Sequence, residues 1–127
     1  MLAQTPALPP ALQRIATAPV LPSERPVGFP HVKITRLAAD GRLHTLGGVR
    51  IDFSNSHASE SASYALMRTH AAAGRLARTE ATFKTAGLFH TRAVAVGRFA
   101  VAVTATTKAK AEALLALALK HLHRSER

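Results

Sequence analysis

The stretch Gly97–Leu122, GRFAVAVTATTKAKAEALLALALKHL, decides the fold of this chain because it holds the clearest strand and the clearest helix. Apolar residues alternate over Phe99–Thr104 behind a turn at Gly97, which predicts a β-strand. A Thr-rich segment then precedes a helix that opens with Lys108 and Lys110. The sequence therefore predicts positive charge at the start of a helix beside a sheet.

The final helix carries one apolar stripe, with the spacing i, i+3, i+4, i+7, i+8 and i+11, so this face is expected to cover a sheet. Lys110, Lys120 and Arg124 lie on the opposite side, which most surface helices expose to solvent. Leu117 falls among these cations and indicates a protein or RNA surface there. The stripe consists of Ala111, Leu114, Leu115, Ala118, Leu119 and Leu122.

The first segment, residues 1–30, contains all seven prolines of the chain. This composition predicts an extended, Pro-rich arm, with room for a short helical turn at Pro10–Ala16. An arm of this kind has too little apolar burial to order itself, so we expect it to lie on a partner.

Residues 31–58 are predicted to form a β-hairpin and a linker. Two apolar, partly alternating runs flank Asp40 and Gly41, which supply turn chemistry. Gly47 and Gly48 are expected to form a bulge in the second strand or to interrupt it.

Residues 59–127 form the third predicted unit. The pattern predicts a helix that starts near Ser59 and ends at Gly74, then three strands and the final helix. The fold class is therefore α+β, a three-stranded antiparallel sheet with a helix before and after it. The predicted strands are Arg78–Lys84, Phe89–Val96 and Phe99–Thr106.

The element order and the start of the last helix resemble the double-stranded RNA-binding domain, over about half of the chain. That family begins its last helix with a Ser/Thr-Lys-Lys-x-Ala-Lys segment that contacts phosphates across a major groove. Lys108 and Ala111 match the first Lys and the Ala, whereas Ala109 and Glu112 replace the other two lysines. Lys110, one position away, is expected to substitute in part.

The resemblance, which covers residues 59–123, also implies a role for the loop between the first two strands. In the family this loop enters the minor groove with a Gly-Pro-x-His segment, and here Gly87 and His90 keep the spacing without the proline. In the alternative interpretation, which we favour, Thr85–Gly87 is a tight turn and His90 points from a strand. The candidate RNA-binding residues are Lys108, Lys110, Lys120, Arg124, His90 and Arg98, with Leu117 as the candidate partner-binding residue.

Charge independently favours a polyanionic partner. Seventeen Lys and Arg against seven Asp and Glu give a net charge of +10, and the sequence pI is about 11.6. With five Phe and one Tyr, base stacking on an aromatic platform is not expected, so phosphate and 2′-OH contacts on structured RNA fit better. These features predict a non-catalytic RNA-binding or structural subunit of a ribonucleoprotein, such as a ribosome-like particle, in the mitochondrion or the cytoplasm.

The alternative function is a protein–protein interaction or dimerisation module, which the missing motif lysines and Leu117 favour; a homodimer is left open.

Other classes of function fit the sequence poorly. The absence of Cys excludes disulfides and zinc-finger ligand sets. His121 and His123 fall on different helix faces, so no metal or other cofactor is predicted. The Ser54–Glu60 segment lacks the context of a nucleophile, and Ala113–Leu119 is too short to span a membrane.

Overall fold

The computed structural model describes residues 7–42, 44–82 and 89–126. These residues form an α+β fold in which a five-stranded antiparallel sheet has helices on both faces. The strands lie in the order β1-β2-β3-β5-β4. The elements are α1 Pro10–Thr17, a 3-10 turn Pro22–Glu24, β1 His31–Leu37, β2 Thr45–Ser54, β3 Ser59–Met67, α2 His70–Thr82, β4 His90–Val96, β5 Phe99–Ala105 and α3 Lys108–Ser125.

One face of the sheet packs against α1 and α3 and contains the main core. Val49, Tyr64, Val101 and Val94 lie side by side across four strands of this face. The Tyr64 hydroxyl donates a 2.7 Å hydrogen bond to the carbonyl of Ala118, which anchors α3 over the centre of the sheet. Removing this apolar surface from water is the main stabilising term for such a layer.

The other face is covered in part by α2, which packs mainly on β4 and β5. Its contacts are made by small residues, Ala72 and Ala73, which are buried against Met67. Small side chains allow a close approach of helix and sheet, so α2 can lie along β4 on the far side from α3.

Several predictions from sequence are confirmed. The β1–β2 hairpin is present, and the register shifts between Thr45 and Gly47, as the bulge prediction required. β4, β5 and α3 also lie where predicted. Gly97 has φ +58° in the two-residue β4–β5 turn, a conformation that glycine adopts without strain.

The predicted helix from Ser59 to Gly74 is wrong, because Ser59–Met67 forms β3. Ala62, Tyr64 and Leu66 are buried on every second residue, which is strand periodicity. The predicted strand Arg78–Lys84 is also wrong as far as it is described, since α2 continues to Thr82. The sheet therefore has five strands instead of three, and strand pairing is continuous across the predicted boundary at residue 59.

The arm is also different from the prediction of an extended segment on a partner. The short helix near Pro10 exists, but Leu12 and Ile15 of α1 are fully buried in the chain's own core. Val20 and Phe29 join the same core. The arm contains enough apolar residues to become ordered on its own chain, because they pack together with β1, β2 and α3. The two interpretations of the loop between the first two predicted strands depend on Thr85 and Gly87, which lie outside the described residues.

Candidate nucleic-acid interface

Lys108 and Lys110 lie exposed in the first turn of α3. Thr107 caps this helix, because its Oγ1 accepts a hydrogen bond from the Lys110 N–H at 3.1 Å. His90 is exposed at the start of β4 and pairs with Ala105, at the end of β5. The structure therefore brings three of the predicted residues to the same end of the sheet.

The other predicted residues are placed separately. Lys120 is exposed farther along α3. Arg98 lies in the β4–β5 turn, at the opposite end of β4 from His90. Leu117 is half-buried against the core and lines a groove beside α3. The predicted residues thus do not form one surface.

Arg124 is already engaged inside the molecule. Its Nε lies 2.5 Å from Glu24 Oε2 and its Nη2 lies 2.9 Å from Glu24 Oε1, and Nη2 also donates to the carbonyl of Pro19. His121 Nδ1 is 2.8 Å from Glu24 Oε1, and its Nε2 is 3.2 Å from the carbonyl of Ile15. These contacts tie the arm to the end of α3.

Glu24 is buried to 1% exposure and His121 to 2%. The hydrogen bond from Arg124 lowers the pKa of Glu24 to about 2, with further lowering by His121 and the Leu21 N–H, against the opposing effect of burial. A buried carboxylate with these donors stays ionised, and Arg124 is its counterion. Arg124 is therefore a structural residue in this fold, whatever else its exposed part contacts.

Segments that carry four other arginines come together near the start of α2. Arg42 and Arg75 line one small pocket of about 170 Å³ together with His44. The Arg68 N–H donates to the carbonyl of His44 at 3.4 Å. The Met67 N–H donates to the carbonyl of Arg98 at 2.8 Å, and His70 Nδ1 contacts the carbonyl of Gly97. We call these residues the arginine cluster: Arg42, Arg68, Arg75 and Arg98, with His44 and His70.

The arginine cluster has no carboxylate partner among the described residues, which include all seven acids of the chain. The ion pairs in that part of the chain are Arg50–Asp52, Arg92–Glu112 and the Glu24 contacts with His121 and Arg124. Asp40, which lies in the same hairpin loop as Arg42, uses its Oδ1 to accept the Arg42 backbone N–H at 2.9 Å. Within the described ranges, the four guanidinium groups thus form no ion pair and remain available to an external anion.

The sequence did not reveal the arginine cluster, except for Arg98. Its members come from the β1–β2 loop, the end of β3, α2 and the β4–β5 turn. Strand pairing and the packing of α2 on the sheet bring these segments together, so no local motif could mark them. The one signal in the sequence was the net charge of +10.

Comparison with known proteins gave no match to any family model, curated protein or solved structure. Within the described ranges, no helix combines the length and the apolar character that crossing a membrane requires.

Proposed function

We propose that this chain is a non-catalytic RNA-binding subunit of a ribonucleoprotein, and that the arginine cluster holds phosphate groups. The proposal depends on one observation: segments that carry four arginines lie next to one another, and none of these arginines has a carboxylate partner in the described residues. An arginine fork binds phosphate oxygens in pairs. A surface built in this way suits the backbone of a structured RNA.

Two further features of the chain also favour binding of an anion. Helix α2 begins at His70, within the arginine cluster. The macrodipole of this helix adds positive potential at its N-terminus. The chain as a whole carries a net charge of +10, which speeds the approach of a polyanion. Together they support phosphate contacts instead of base readout.

Lys108, Lys110 and Lys120 remain a second candidate surface for the same RNA. They lie on α3, on the opposite face of the sheet from α2. A lysine acts as a flexible point charge and positions phosphates less strictly than arginine does. We therefore expect the lysines to contribute less to affinity than the arginine cluster.

The experiment compares two triple variants that remove equal charge. Arg68→Gln/Arg75→Gln/Arg98→Gln tests the arginine cluster, and Lys108→Gln/Lys110→Gln/Lys120→Gln is the matched control. Binding to a short RNA duplex is measured by fluorescence anisotropy between about 50 and 200 mM salt. The arginine variant should lower the salt slope by roughly 0.7 to 0.9 log unit for each phosphate that its arginines no longer neutralise, and the lysine variant by less.

Two outcomes would reject this assignment. If wild-type protein shows no salt-dependent affinity for duplex RNA, single-stranded RNA or DNA, the polyanion function is wrong. If both triple variants lower the slope equally, the decrease reflects net charge, and the arginine cluster is not the interface.

One observation favours the alternative function, a protein-interaction or dimerisation module. Leu117 is half-buried at a groove whose opposite wall includes Val27, a residue that is 99% exposed. Leu117→Glu should then reduce self-association, measured by light scattering over a dilution series, and leave RNA affinity almost unchanged.

A further inference from the structure

A groove runs between the arm and α3, on the core side of the sheet. Its volume of about 640 Å³ falls in the range of small-molecule sites, roughly 300 to 1,000 Å³. Most of its walls are apolar. They include Pro22, Pro26 and Phe29 from the arm, and Ala113, Leu114 and Leu117 from α3.

Glu60 is the polar exception in this groove. It lies at the start of β3, opposite Phe53 of β2, and is 3% exposed. Its Oε2 is buried and has no hydrogen-bond partner among the described residues. Leaving such an oxygen unpaired costs free energy that native structures rarely tolerate without a reason.

The neighbouring cations do not satisfy Glu60. Arg25 lines the groove, but its Nε and Nη2 donate to the carbonyl of Val20 at 3.1 and 2.9 Å. Lys110 also lines the groove and forms no ion pair with Glu60 in the described ranges. Burial raises the pKa of Glu60, and the charge of Lys110 opposes this only in part. Among the described residues, the buried Oε2 of Glu60 therefore lacks a donor.

We propose that the groove binds a small apolar amine, whose nitrogen donates to the Glu60 carboxylate and whose hydrocarbon part lies against Phe29, Leu114 and Leu117. This inference does not rest on the arginine cluster, which lies on other segments, although Lys110 lines the groove and also belongs to the second candidate RNA surface. An amine supplies the missing donor and a compensating charge. A carboxylic acid would instead place a second negative group beside Glu60.

The ligand chemistry can be tested with hexylamine, hexan-1-ol and heptanoate, which share a hexyl chain and differ only in the polar group. The full chain is titrated with each compound, and backbone amide shifts are followed by NMR. Hexylamine should shift the signals of Glu60, Lys110 and Leu117. It should bind about tenfold more tightly than hexanol, because a charged hydrogen bond replaces a neutral one, and heptanoate should bind most weakly.

Glu60→Gln keeps the size of the side chain and removes the charge, so it should abolish the preference for the amine over the alcohol. Glu112→Gln is the matched control, since Glu112 is half-exposed on α3 and pairs with Arg92, at 3.6 Å. It should leave amine affinity within about twofold of wild type, because an exposed pair contributes little.

The proposal fails if the three compounds bind equally, if none binds, or if Glu60→Gln retains the preference. It also fails if the groove signals move on protein dilution and not with amine, because a second copy of the chain would then occupy the groove. The comparison of the three ligands needs only the wild-type protein, so misfolding of a variant does not leave the proposal untested.

Discussion

Arg124 and the arginine cluster use the same side chain in opposite surroundings. Arg124 faces Glu24, a carboxylate that is 1% exposed, and reaches both of its oxygens. The cluster arginines have no carboxylate partner in the described part of the chain. This difference shows that the presence of a nearby carboxylate decides the role of an arginine. With a carboxylate partner the arginine stabilises the protein, and without one it is available to a ligand.

The largest expected effect comes from removing residues 1–28. This deletion takes Leu12, Ile15 and Val20 out of the core and leaves His121 and Arg124 without Glu24. We expect the remaining chain to lose its cooperative thermal unfolding, followed by circular dichroism. A truncated protein that melts near the full-length temperature would show that the arm is dispensable.

A smaller effect is expected from Glu24→Gln. The charge that pairs with Arg124 disappears, so the free energy of unfolding should fall by roughly 3 kcal/mol, as measured by urea denaturation. Glu112→Gln serves as the control, because its pair with Arg92 is exposed and should be worth less than about 1 kcal/mol. Equal decreases in both variants would contradict the distinction between buried and exposed pairs.

The lowered pKa of Glu24 predicts that the stabilisation by its buried ion pair depends on pH. Because this pKa is lowered from 4.5 to about 2, the folded state binds fewer protons than the unfolded state between these values. The contribution of Glu24 to stability is therefore complete above pH 4.5 and is lost as the pH falls toward about 2. The difference in unfolding free energy between wild type and Glu24→Gln should shrink over this range, and a constant difference would reject the assignment.

A still smaller effect on stability is expected for Arg68→Gln/Arg75→Gln/Arg98→Gln. These side chains have no described ion-pair partner, so each substitution should change the free energy of unfolding by less than about 0.5 kcal/mol. Urea denaturation of the triple variant checks this. A decrease as large as that of Glu24→Gln would mean that the arginine cluster is structural.

The sequence predicted α3, β4 and β5 because each has one dominant period. In α3, Ala111, Leu114, Ala118 and Leu122 are buried as expected, while Leu115 and Leu119 are half-buried. The buried face is centred slightly differently, since His121 and Ser125 also belong to it. His121 lies seven residues after Leu114, a spacing that places both residues on the buried face of the helix. Because His121 is polar, the sequence pattern did not predict its burial.

The stretch Ser59–Met67 was assigned wrongly because small residues fit two periods at once. Ala62, Ala65 and Leu66 can form a helical stripe, while Ala62, Tyr64 and Leu66 alternate as in a strand. Glu60, a charged residue at a buried position of that alternation, further obscured the strand pattern. Tertiary pairing with β2 and β5 decided the outcome.

The candidate sites could not be predicted for a different reason. Glu24 and His121 are brought together only by packing of the arm on α3, and the arginine cluster by strand order and the packing of α2. Neither arrangement leaves a local pattern of residues. Arg98 was predicted because it adjoins the best-defined strand, but its neighbours in space could not be named.

The most direct test of the arginine cluster as the interface is an NMR titration of the wild-type chain with a short RNA duplex. If the cluster binds RNA, the largest amide shifts will fall at Arg42, His44, Arg68, His70 and Arg98, and the Arg124 signal will stay unchanged because Glu24 holds that side chain. Shifts confined to Lys108 and Lys110, with the arginine cluster silent, would contradict this assignment.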